Sequence, residues 1–339
     1  MPKKAFDPST LKAFGNVAAG HDGVLSDGSG IVVKPCTNAE ITFYESVTAE
    51  HPDLAPHIPT FFGKLELSAD QKAAQGAADS GFVTTASGAV ERLHGRKLET
   101  ELHIVLEDIT HGFRKPNVLD LKLGAQLWDE DAKPEKRARL DAVSAETTSG
   151  SLGFRIAGMR TFKGEPTPEV HDDLKEFTEH NSNGYWVYNK MYGRKFKDHD
   201  IEEGFVAYHL PNGSGKRELE RAQEVLDYFL GEVRDIQKAF ESKESRMYSA
   251  SILLVYEGDV DEYFKTKELL AAQAEKEPLD DEDDDEDLPK LAAVKMIDFA
   301  HATWHPGKGP DENAIRGMRS TTVILENLSQ KVGKHLETA

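Results

Sequence analysis

The sequence has one cysteine, Cys36, in 339 residues. No disulfide within the chain and no cysteine-built zinc cluster is therefore possible, which fits a reducing compartment. Apolar residues are also scarce: the hydrophobic share is 38% and the mean hydropathy is −0.54. No stretch approaches the length of a membrane span, and the opening MPKKAFDPST lacks an apolar leader core. A soluble intracellular protein is expected. Several catalytic signatures are missing too: there is no GxxxxGK[ST] phosphate loop, no HRD catalytic loop, no GxSxG elbow and no HExxH helix. No internal repeats are present.

Positive charge is in deficit, with 41 Lys and Arg against 60 Asp and Glu and a formal charge of −19. Such a surface repels nucleic acid unless a local basic patch overrides it. Part of the excess sits in DDEDDDED at 280–287. Like-charge runs of this length do not fold alone. A solvated loop is the simpler reading, and a docking surface for a basic partner is the alternative. Residues 68–90, rich in Ala, Ser and Gly, read as a flexible loop between strands, and the first ten residues as a tail.

Between these stretches lie ordered signals. GSGIVVKPC at 28–36 predicts a strand after a turn. Thr37 and Glu40 have capping-box spacing before a helix carrying Ile41, Tyr44 and Val47. LHIVLED at 102–108 reads as a buried strand. PNVLDLKLG at 116–124 follows, with Leu119, Leu121 and Leu123 on one face and Val118, Asp120, Lys122 and Gly124 on the other. Pro134 opens a helix through EKRARLDAVSAE, and apolar residues at helical spacing from Leu219 to Phe240 predict a long amphipathic helix. Residues 251–258 and 292–300 read as a hairpin interrupted by a long acidic insertion, and a last helix is predicted over 313–328. The order gives an α+β fold of two lobes: 1–108, then 109–339, the latter holding a helical segment at 125–150 and an acidic loop at 274–289.

Few residues carry chemistry by type and context. Lys34 closes a strand six residues before Glu40, a spacing that allows a phosphate-gripping Lys–Glu pair, although on this pair alone a completed capping box is the simpler reading. Asp298 sits in MIDFAH among Met296, Ile297 and Phe299, where a charge is costly unless paired or metal-bound. An Asp-Phe-x tripeptide after a buried strand resembles the metal-holding turn of protein kinases. His301 follows as a core, capping or anion-binding histidine. Lys133, Lys136, Arg137 and Arg139 cluster near a helix start, where cations oppose the helix dipole, so a solvated face or a polyanionic ligand explains them better than helix stability does. These fragments allow phosphoryl transfer in a kinase-like cleft without the usual catalytic Asp.

Together PNVLDLKLG, SASILLVYEG and MIDFAH resemble the signature set of the inositol polyphosphate kinase family, whose hallmark PxxxDxKxG is filled by Pro116, Asp120, Lys122 and Gly124. LEDITHGFRKP and TTSGSLGFRIAGMR lie at the family's relative positions, so the resemblance runs from about Lys34 to Leu328. The compact chain and acidic insertion are most similar to the fungal multikinase branch. The resemblance implies a two-lobed, protein-kinase-like fold with ATP between the lobes and an inositol phosphate held by the inserted helical segment. Carried over by position, Lys34, steadied by Glu40, would contact ATP phosphates. Glu107 and Ile109 would meet adenine through backbone groups, and Asp120 the ribose. Lys122 would touch both the transferring phosphate and the inositol phosphate. Asp298, helped by Ser251, would hold Mg2+. Lys133, Lys136, Arg139 and His301 would line the substrate pocket, although Leu140 and Val143 depart from the polar residues of animal relatives. The implied activity is phosphorylation of inositol 1,4,5-trisphosphate at the 6- and 3-hydroxyls, through tetrakis- to pentakisphosphate. A hexakisphosphate kinase making pyrophosphates is the runner-up, and a scaffold binding transcription factors through the acidic loop is the rival of another class. A monomer in nucleus and cytoplasm is expected, the nuclear part by resemblance alone.

Overall fold

The alternation in PNVLDLKLG has a structural counterpart on both of its faces. The computed structural model describes residues 10–16, 18, 23–66, 82–84, 90–92, 98, 100–180, 183–275 and 289–338. In chain order the first elements are β1 (Lys12–Ala13), β2 (Leu25–Ser26), β3 (Ile31–Pro35), α1 (Asn38–Glu50) and β4 (Phe61–Glu66). A two-stranded ladder, β5 (Phe82–Thr84) and β6 (Val90–Arg92), then precedes β7 (Leu102–Glu107). Strands β1–β2–β3–β7–β4 form an antiparallel sheet that makes the first lobe with α1.

The second lobe runs through β8 (Pro116–Leu123), α2 (Pro134–Glu146), α3 (Thr148–Leu152), β9 (Phe154–Phe162), β10 (Thr178–His180), β11 (Tyr185–Tyr188), α4 (Lys190–Lys195), α5 (Ile201–His209) and α6 (Lys216–Glu241). It continues with β12 (Ser245–Met247), β13 (Ser251–Glu257), α7 (Val260–Ala274), β14 (Ala292–Ile297), β15 (Ala302–Trp304) and α8 (Glu312–Leu336). Its main sheet is antiparallel in the order β10–β11–β9–β8–β13–β14.

The two faces of that sheet have different tasks. Leu119, Leu121 and Leu123 of β8, with Ile252 and Leu254 of β13, join one large core. The apolar stripes of α6 (Leu226, Phe229, Val233) and α8 (Leu325, Leu328, Val332) enter the same core, and the two helices pack together. Each such side chain contributes ~1.5–3 kcal/mol by leaving water. The opposite face carries Val118 and Val255, packed with Ile109 and Ile297, and it faces the first lobe.

Several readings of the sequence need correction. The stretch 68–90 is not wholly a loop, because β5 and the start of β6 fall in it. The insertion between β13 and β14 begins with helix α7, reaching Ala274 where the acidic loop was expected to start. Only Tyr263 and Thr266 of α7 are buried, so the sequence carries no apolar stripe to announce it. The acidic run 280–287, and the tail apart from Thr10, lie outside the described residues. The last helix continues to Leu336 because Val332 extends its buried row past Leu328. Among the described residues, no helix is long and apolar enough to cross a membrane.

Candidate active site

Lys34, next to last in β3, holds its ammonium between two carboxylates, 2.8 Å from Glu40 Oε1 and 2.7 Å from Asp298 Oδ1. Glu40 is the third residue of α1, whose N-cap Thr37 accepts from the Glu40 backbone N–H. The Glu40 side chain turns to Lys34 rather than back to the cap, which decides between the two readings of that spacing. Burial opposes charge on Lys34, yet the Asp298 and Glu40 carboxylates outweigh it and raise its pKa above the ordinary lysine value. Neighbouring Cys36 is buried, and its thiol is pushed up to about 12 by burial and by Glu40, so it stays protonated at neutral pH.

Asp298 leaves β14 at φ 69, in the left-handed region that few residues other than glycine adopt. Its neighbour Phe299 holds the turn in place. The Phe299 ring stacks on Phe43 of α1 at 4.4 Å, and Phe43 stacks in turn on Trp304 at 5.1 Å. Trp304 Nε1 donates to Ser46 Oγ at 2.7 Å. The carboxylate from the second lobe is thereby fixed against the helix and lysine of the first.

Behind this trio a cleft opens between the sheets. Val24, Val32, Leu106, Ile109, Val118, Leu253 and Ile297 supply apolar walls, while Lys34, Asp120 and Asp298 give it polar groups. The inter-lobe linker Glu107–Thr110 forms part of the rim. Its geometry is set by the Asp108 carboxylate, which accepts from Thr110 N at 2.8 Å and Thr110 Oγ1 at 2.7 Å. Glu107 accepts from Thr60 and pairs with Lys290 at 3.4 Å. Of the residues expected to meet a nucleotide, Lys34, Glu107, Ile109 and Asp120 all line this cleft.

Lys122 follows Asp120 on the same face of β8, and its Nζ donates to Ser249 O at 2.8 Å. Ser251 lies directly across from Lys122 in the antiparallel pair and across from Ile297 on its other side. Cross-strand partners share a face, so Ser251 points to the cleft side beside Asp298. The Ser251 hydroxyl is fully buried and has no hydrogen-bond partner among the described residues. Among the described residues, no group of three or more His, Cys, Asp or Glu is placed to hold a metal. A divalent ion carried with nucleotide phosphates needs only one or two protein oxygens, and the Asp298 carboxylate with the Ser251 hydroxyl fits that need.

The segment after β8 is tethered at several points. Gly124 has φ +97, and a Cβ there would stand 2.6 Å from Asn313 Nδ2. Asn313 Oδ1 accepts from Ala125 N and Gln126 N at 2.9 Å each. Arg137 donates from Nε to Ala132 O at 2.7 Å and stacks its guanidinium 4.6 Å from the Trp128 ring, so it serves the fold of this segment. Lys133, the N-cap of α2, and Arg139 on that helix are exposed, and Lys136 is half-buried. His301 Nδ1 meets the Asp129 carboxylate, bringing the segment to the Asp298 turn. The sequence reading passed over Asp129, Asn313 and Arg155; Arg155 pairs directly with Lys122 in the β8–β9 register. Their contacts lie across the fold, and no local spacing marks them.

The sequence pattern of the family described as inositol polyphosphate kinase matches residues 103–326. The chain belongs to that family. It is an inositol polyphosphate kinase in class. Similar proteins include the inositol polyphosphate multikinase of Saccharomyces cerevisiae, 32% identical over 91% of this chain and 96% of that protein. The multikinase of Schizosaccharomyces pombe is 30% identical over 91% and 95%. Inositol hexakisphosphate kinase 1 of Rattus norvegicus is 27% identical over 70% of this chain and 55% of that protein. The crystal structure of the Saccharomyces cerevisiae inositol phosphate multikinase with ADP and Mn2+ superposes with a TM-score of 0.63 at 30% identity, over 88% of this chain and 98% of that one. The two-lobed, kinase-like α+β fold follows from that likeness.

Proposed function

We propose that the chain is an ATP- and Mg2+-dependent inositol polyphosphate multikinase that phosphorylates inositol 1,4,5-trisphosphate at the 6- and 3-hydroxyls, through tetrakis- to pentakisphosphate. The observation that carries this reading is the half-buried Lys34–Asp298 pair at an apolar cleft whose polar side continues along β8 to Lys122. Two fungal multikinases also match over nine-tenths of the chain, whereas the hexakisphosphate kinase matches over 70%.

In this mechanism the apolar walls take the adenine, with linker backbone groups at Glu107 and Ile109 along its edge. Asp120 accepts from the ribose hydroxyls, and Lys34 neutralises nucleotide phosphates while Glu40 holds it in place. Asp298 and Ser251 would hold the divalent ion, which supplies charge neutralisation at the migrating phosphoryl group. Lys122 stands where the transferred group meets the acceptor. Lys133, Lys136, Arg139 and His301 receive the ring phosphates, so the acceptor hydroxyl is presented in line. Phosphoryl transfer asks mainly for positioning and charge stabilisation, and these groups suffice without a strong base. Long, separate cations at the start of α2 and along it tolerate a ring bound in more than one orientation better than a rigid bidentate cage would.

Offering the trisphosphate and the hexakisphosphate separately, with anion-exchange separation of products, tests the assignment. Tetrakis- and pentakisphosphate from the trisphosphate are expected. Turnover of the hexakisphosphate alone would refute the multikinase reading.

A further inference from the structure

The contact between His301 and Asp129 joins two tethered pieces of chain. On the Asp129 side, Leu127 O accepts from Ser249 Oγ at 3.0 Å, and Trp128 Nε1 donates to Asp141 at 2.6 Å. Ala132 N donates to Asp129 O at 3.1 Å, closing a turn around the acid. On the His301 side, the backbone carbonyl accepts from Tyr248 N at 3.2 Å. Residues Tyr248 and Ser249 therefore touch His301, Leu127 and, through Ser249 O, the Lys122 ammonium. The carboxylate is the more sheltered partner, 24% exposed against 40% for the imidazole.

An acid beside a polyanion site is unfavourable by simple charge, because it repels the ligand that the cations attract. It is reasonable there only if its charge is spent on a neighbour. A carboxylate at Nδ1 keeps the proton on that nitrogen and fixes the plane of the ring. The Nε2 edge is then the one left to face a ligand, at a set angle. The structural alternative is a staple that merely joins the segment before α2 to the Asp298 turn.

We infer that Asp129 is a positioning residue for the acceptor site: it holds His301 with Nδ1–H toward itself and turns Nε2 toward a phosphate of the bound ring. The proposal rests on the acceptor site assigned above. It gives the segment between β8 and α2 a task besides carrying Lys133 and Lys136, which is to set the orientation of a side chain on another element.

Steady-state kinetics with inositol 1,4,5-trisphosphate and ATP test the role. Asp129→Ala should raise KM for the trisphosphate about tenfold, the low end of the loss seen when the partner that orients a metal-ligating histidine is removed, with a smaller change in kcat and none in KM for ATP. Asp129→Asn keeps an acceptor for Nδ1–H and should recover part of the loss. In a His301→Ala background the Asp129→Ala change should add little, because both remove the same interaction. An unchanged trisphosphate KM in Asp129→Ala, or an equal effect with and without His301, overturns the proposal. Long-range 1H–15N spectra of the wild-type chain, assigned by the signals lost in His301→Ala, give a readout independent of turnover. They should show Nδ1 protonated, and a ring protonated only at Nε2 overturns the proposal. Should the wild-type enzyme turn over no inositol phosphate, the function proposed above falls, while the spectra still decide the pair.

Discussion

Asp298 carries three demands on one residue: a left-handed backbone at φ 69, a near-buried carboxylate, and contact with Lys34. Strained backbone of this kind persists only where its surroundings hold it, and the Phe299–Phe43–Trp304 stack does that here. Asparagine tolerates the left-handed region about as well as aspartate, so Asp298→Asn should fold while losing the charge. Its kcat for the trisphosphate is expected to drop by roughly a hundredfold or more, ~3 kcal/mol of transition-state stabilisation. Steady-state assays beside a thermal melt check this, and near-normal turnover would remove Asp298 from the metal site. At this scale the sequence revealed the residue but not its partner. A hydrophobic context marked Asp298 as a costly charge, whereas Lys34 lies 264 positions away and carries no local sign of the contact.

Strand β8 shows how an element sorts neighbours to different tasks. Its alternation puts leucines into the core and Asp120 and Lys122 on the cleft side, which is a property of extended backbone and was legible from nine residues. The strand's ends were not legible in the same way. Pro116 enters opposite Glu257, whose buried carboxylate accepts from Arg114 N at 2.7 Å and Lys115 N at 3.0 Å. Gly124 leaves at a positive φ against Asn313. Gly124→Ala adds a Cβ both to a left-handed backbone and to a space already filled, and should cost on the order of 1–3 kcal/mol. A lower urea midpoint with an unchanged slope would bear this out; an unaltered midpoint would mean that the Asn313 side chain yields freely. Helix α7 was missed for the opposite reason, since most of its side chains meet solvent and leave no periodic stripe.

Across the whole molecule, stability depends on how the second-lobe core treats the polar groups it encloses. His209 is fully buried between α5 and α6, its Nδ1 at 2.8 Å from Phe205 O and its ring 4.9 Å from Tyr208 and 5.7 Å from Phe229. Burial lowers its pKa to about 4 from 6.5; the Phe205 carbonyl opposes this, and nearby Arg221 adds to it. Between these values the unfolded chain binds a proton that the folded chain refuses. The stabilisation is full above pH 6.5 and is lost as pH falls toward 4, by about 3 kcal/mol in all. Urea unfolding at pH 7 and pH 5 should show the decline, and His209→Leu should flatten it; an identical pH slope in the variant would place the titration elsewhere.

The sequence by itself determined what depends on near neighbours: the alternation of β8, the stripe of α6, the costly charge at Asp298 and the hallmark spacing that implied the family. Tertiary structure alone decided which of these residues meet. Lys34, Glu40 and Asp298 come from two lobes, and Asp129 reaches His301 across the fold. Local periodicity is set by backbone geometry within a few residues. Contact between distant residues is set by how sheets and helices close over a shared core, which no single stretch of chain encodes.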